Sequence, residues 1–72
     1  MKKTMYVLAC NGWPLCVSDN EGALKERRKE VIDRLVNDDC FEILSADETT
    51  VNYHDGISYL CNNYTIFEVE VI

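Results

Sequence analysis

The sequence predicts an α+β fold, with an antiparallel sheet of three to five strands packed against one amphipathic helix. Three observations predict it. Asn11-Gly12 stands between two short apolar runs and is the dipeptide best suited to a two-residue hairpin turn. Leu24, Val31 and Leu35, with Ile32 and Val36 beside them, recur at helical spacing. The last nine residues alternate apolar and polar side chains with the period of a strand. Seventy-two residues suffice for one compact domain, divided as hairpin 3–17, helix 20–37 and C-terminal strands 41–72.

In chain order, residues 3–10 place Met5, Val7 and Ala9 on one face and Tyr6, Leu8 and Cys10 on the other. Both faces are apolar, as in a central strand covered on both sides. Trp13-Pro14 is expected to lengthen the turn, with residues 15–17 returning as the second strand. Ser18 and Glu21 lie at capping-box spacing and open the helix. Within it, Glu21–Lys25 and Glu30–Arg34 are i, i+4 pairs in the favourable order, each stabilising by about 0.2–0.5 kcal/mol. Asn37-Asp38-Asp39 ends the helix. A short strand is expected over 41–44 and a turn over 46–49. Residues 50–61 fit strand, turn at Asp55-Gly56 and strand, or else a short helix. Asn62-Asn63 reads as a break. In the closing strand Phe67, Val69 and Val71 form the face to be buried, while Thr65, Glu68 and Glu70 interrupt the solvent face. One helix cannot cover both faces of such a sheet, so self-association through a sheet face or edge, as a homodimer, is an expectation of the pattern.

Charge is divided as sharply as hydrophobicity. All seven Lys and Arg lie in the first 36 residues with five acids, whereas the last 36 carry eight acids and no Lys or Arg. The halves sum to +2 and −8, giving the net −6. Such a field attracts basic surfaces and repels nucleic acid and anionic lipid. The 47% hydrophobic content argues against disorder despite that charge. No stretch approaches the roughly 18 apolar residues of a membrane span. The run before Cys10 imitates a lipoprotein leader but is shorter than the ~7–15 residues a leader needs, and cleavage there would remove the first strand. A cytoplasmic location, with the thiols reduced, is therefore expected.

Chemistry-bearing constellations are few. Cys10 and Cys16 are six residues apart and Cys40 and Cys61 twenty-one, neither of which is the short knuckle of structural zinc. Four thiols serving as small apolar side chains is the simpler reading. Nothing places a cysteine beside the single His54, as a thiol nucleophile would need. Tyr6, Tyr53, Tyr59, Tyr64, Trp13 and Phe67 resemble a base-stacking set, but a single-strand binder also needs a positive groove. These observations imply no enzyme, cofactor, metal or direct nucleic-acid contact. Trp13 sits at the hairpin tip, where a ring more often folds back on its own hairpin and otherwise anchors a partner.

The opening Tyr6-Val7-Leu8 strand, the return Pro14-Leu15-Cys16-Val17, the helix starting near Ala23 and the closing run from Thr65 to Val71 resemble the small accessory proteins of tailed bacteriophages. The resemblance covers about half the chain. It implies a non-enzymatic protein that binds a host factor and blocks or redirects it, within a bacterial cell. The expected contact is an acidic surface of Asp38, Asp39, Glu42, Asp47, Glu48, Glu68 and Glu70, with Trp13, docked on a basic protein. A nucleic-acid-binding groove is one such target, since spaced carboxylates can stand in for phosphates. The alternatives are a cysteine-based metal- or redox-responsive module and a self-associating structural domain. An acidic surface that only maintains solubility is the plainest competitor.

Overall fold

The computed structural model describes residues 3–71. Its elements are strands β1 (Lys3–Cys10) and β2 (Trp13–Ser18), helix α1 (Glu21–Val36), and strands β3 (Glu42–Ala46), β4 (Thr50–His54) and β5 (Tyr59–Val71). The strands form one open antiparallel sheet in the order β2-β1-β5-β4-β3, with α1 on one face. The fold class is the one the sequence predicts, with five strands.

The first turn is tighter than expected. Asn11 and Gly12 both have positive φ, 51° and 84°, as a two-residue turn matched to strand twist requires. Trp13 and Pro14 do not lengthen it; they already pair with Cys10 and Ala9. A register shift beside Leu8 and Ala9 absorbs the extra residue as a bulge. Pro14 is tolerated because β2 is an edge strand and its missing N–H costs no ladder bond.

Helix α1 starts at Glu21, and Asn20 rather than Ser18 is its N-cap. The Asn20 Oδ1 accepts the Ala23 N–H at 3.3 Å, while Ser18 Oγ accepts the Asn20 N–H at 3.0 Å. Either residue type can cap, and the hairpin's end at Ser18 decides between them. Leu24 and Ile32 are buried, Val31 and Leu35 half-buried, and Val36 turns outward. At the far end the Asn37 N–H and its Nδ2 both donate to the Asp33 carbonyl.

Residues 50–61 adopt the strand–turn–strand alternative. Asp55 Oδ1 accepts the Ile57 and Ser58 N–H groups, and Gly56 takes a φ of 98° that a side chain would oppose. β3 begins one residue later than expected and continues to Ala46. The larger departure is at Asn62-Asn63, which does not break the chain but lies inside β5. There β5 changes neighbours, since Tyr59–Asn63 pair with β4 and Tyr64–Val71 pair with β1. Asn11 spans the exchange point. Its N–H donates to the Asn63 carbonyl, its Oδ1 accepts the Asn63 N–H at 2.9 Å, and its Nδ2 donates to the Cys61 carbonyl at 3.0 Å. The Asn62 side chain bridges inward, accepting from the Tyr53 hydroxyl and donating to that of Tyr64.

The core lies between the sheet and α1, built on Leu8, Val51, Tyr53 and Tyr64 below Leu24 and Ile32. Ile66, Tyr6, Cys10 and Cys16 complete it from the same sheet face. Hence the alternation of β5 is realised opposite to expectation. Tyr64 and Ile66, in step with Glu68, point toward the helix side. Phe67, Val69 and Val71 point to the face that α1 does not cover and are 46, 39 and 48% exposed. Thr65 shares that uncovered face, opposite Ala9, rather than the side of Glu68. The molecule measures 49 × 19 × 15 Å, with a radius of gyration of 14.0 Å where a compact chain of this length has about 11 Å. The long axis follows from β5, whose 13 residues at about 3.4 Å each traverse nearly all of it.

Candidate protein-binding surfaces

The seven acids expected to act together are distributed over three places. Asp38 and Asp39 follow α1, and Glu42 opens β3; all three are exposed. The Asp38 Oδ1 accepts the Cys40 N–H at 2.9 Å and so shapes the bend as well as carrying charge. Glu68 lies on the helix side of β5 near the start of α1, where it and Glu21 both act on Tyr6. Partial burial and these two carboxylates push the Tyr6 phenol up. Glu70 is in step with Glu68 on the same strand. The two regions are separated by about the 24 Å length of a 16-residue helix.

Asp47 and Glu48 occupy the third place, the β3–β4 turn. There they meet the helix cations across an open cleft of about 660 Å³ lined by Lys25, Arg28, Lys29, Asp47 and Glu48, among others. Cations of the first half and acids of the second are thus brought together at this cleft. Asp47 also has a local task. Its Oδ1 accepts the Thr49 and Thr50 N–H groups at 2.8 and 2.7 Å, and these bonds hold its carboxyl below the usual range. The bonds from Ser58 and Ile57 do the same for Asp55.

Asp38, Asp39, Glu42 and Glu68 have no Lys or Arg partner among the described residues; the ion pairs Lys25–Glu21 and Arg27–Glu30 are internal to α1. Trp13 stands 75% exposed on the hairpin and does not fold back onto it. Beside it Leu15 and Val17 are also exposed.

The four cysteines are free of disulfides. Cys10 and Cys16 lean on the core, and Cys40 and Cys61 are exposed. The hydrogen bond and charge of Asp38 push the Cys40 thiol up, away from the reactive thiolate. Burial is the main cause raising the Tyr64 phenol, with Cys10 adding to it. His54 Nδ1 accepts the Gly56 N–H at 3.1 Å and its ring meets Tyr59 edge-on at 4.6 Å, so it serves the β4–β5 turn. No group of three His, Cys, Asp or Glu placed to hold a metal ion occurs among the described residues. No helix there is long and apolar enough to cross a membrane.

The uncovered sheet face is the feature the sequence left least resolved. Val17, Val7 and Phe67 form one row across β2, β1 and β5, and Met5 with Val69 the next. Val71 extends it, opposite Lys3 at the rim. Beyond β5 the same face turns polar, with Asn52 bonded to Ser45 and His54 paired with Tyr59. The alternation in β1 and β5 is what could have found this face, because each strand is apolar on the side α1 leaves open. Comparison of the chain with protein-family models, curated proteins and solved structures finds no match.

Proposed function

We propose that this chain is a non-enzymatic protein-binding module that docks an acidic surface on a basic protein partner. The observation that supports it is the exposure of Asp38, Asp39, Glu42 and Glu68 without a cationic partner among the described residues, in a chain of net charge −6. Unneutralised carboxylates steer a positive surface into contact and set its orientation. Trp13, held out by a rigid two-residue turn, is the apolar anchor of that contact. Asp47 contributes less, because the β3–β4 turn already engages its carboxyl, and it and Glu48 face the helix cations across the cleft. The resemblance to phage accessory proteins implies a host factor as the partner, with a nucleic-acid-binding groove as a surface of matching charge.

The test is retention of partners from a bacterial lysate at about 50 and about 300 mM salt, which shortens the screening length from roughly 14 to 6 Å. Basic proteins held at low salt, released at high salt and lost by an Asp38→Asn, Asp39→Asn, Glu42→Gln chain are the expected result. A partner that survives high salt and ignores the three substitutions would contradict acidic docking.

A further inference from the structure

We infer that the uncovered face of β2, β1 and β5 is the seat of a second copy of this chain, giving a face-to-face homodimer with the helices outward. Three independent observations carry the assignment. First, Met5, Val7, Val17, Phe67, Val69 and Val71 form a contiguous patch with the alternation of a buried sheet face, and no element among the described residues covers it. Second, the area fits. A chain of 8.3 kDa folds with about 4,600 Å² of accessible surface, whereas this one exposes 5219 Å². The excess of roughly 600 Å² approaches the ~800 Å² that each partner contributes to a standard interface. Among the described residues the large side chains that are fully buried within one copy are Leu8 and Val51, so a shared core supplies what the single copy lacks.

Third, the charge favours a like copy over a basic partner on this face. Glu68 and Glu70 alternate to the helix side of β5, leaving Lys3 at the rim as the charged residue of the apolar rows. Two chains of net charge −6 can therefore meet at these rows with Glu68 and Glu70 turned outward. A two-fold axis through the patch would set each Phe67 into the copy opposite, at the ~10 Å spacing of stacked sheets. The acidic docking surface stays accessible in such a dimer.

Sedimentation of the purified chain over a dilution series, at about 50 and about 300 mM salt, tests this without any partner. The expected species has twice the 8.3 kDa mass, and it associates more tightly at the higher salt because screening relieves the repulsion between like charges. Acidic docking responds to salt in the opposite sense, so the two proposals fail separately. Phe67→Asp is expected to raise the dimer dissociation constant about tenfold or more, with far-ultraviolet circular dichroism unchanged. Should that variant not fold, a photo-crosslinking phenylalanine analogue at position 67 replaces it. Its expected product is a covalent dimer, with none from the same analogue at position 39. A monomer at every concentration and both salts would overturn the inference, as would a folded Phe67→Asp chain that dimerises unchanged or a position-67 analogue that yields no covalent dimer.

Discussion

Asp47 illustrates how a carboxylate can be counted as surface charge in the sequence and be occupied in the fold. Read along the chain, it belongs to an acidic run available to a basic partner. In space its Oδ1 gathers two backbone N–H groups and the Thr49 hydroxyl, closing the β3–β4 turn. Its folded pKa lies below the unfolded one, so its contribution is fully present above the unfolded pKa and is lost as pH falls through the folded pKa. Asp47→Ala is therefore expected to lower the thermal midpoint at pH 7, with the gap to the native chain narrowing below about pH 4, measured by thermal melts across that range. A gap independent of pH would show that the turn does not depend on the charged form. Trp13 is the converse case. A fold-back onto its own hairpin is the commoner outcome for such a ring, yet the two-residue turn and edge-strand pairing leave it exposed.

The hairpin and the helix were legible because each rests on local chemistry, the positive φ angles of Asn11-Gly12 and the 3.6-residue stripe of α1. β5 was not legible as one strand. Two consecutive asparagines read as a break because their amides usually compete with ladder bonds. Here those amides are consumed productively, one by Tyr53 and Tyr64 and the other by Thr50. Asn11 supplies the missing partner where β5 leaves β4 for β1. Asn11→Gly keeps the positive φ but removes both side-chain bonds, at an expected cost of about 1–2 kcal/mol in denaturant unfolding. Asn11→Ala is expected to cost about 1 kcal/mol more, because it adds left-handed strain. Equal stability of the glycine variant and the native chain would mean that the junction is held by the strand ladders alone. Strand alternation likewise identifies two faces but not which one a single helix covers. That choice depends on where the hairpin delivers α1, and it reversed the expected burial of Phe67 and Val69.

The whole molecule is longer and more exposed than a single-core chain of its size, and this joins its two surfaces into one account. Acids stand on the helix side and around the ends, and an apolar sheet face lies opposite them. A chain built this way can self-associate through one surface and engage a basic partner through the other. The acidic docking site was legible in the sequence only as a count of charges, since no local pattern tells which carboxylates close turns, which face helix cations and which remain unneutralised. Small-angle X-ray scattering of the purified chain at about 50 and about 300 mM salt reads mass and shape together and so distinguishes the dimer from an elongated single copy. Forward scattering of two chains is expected at the higher salt, with a radius of gyration only modestly above the 14.0 Å of one copy, since stacking thickens the short axis rather than extending the long one. Forward scattering of one chain with a radius near 14.0 Å at both salts would contradict the dimer.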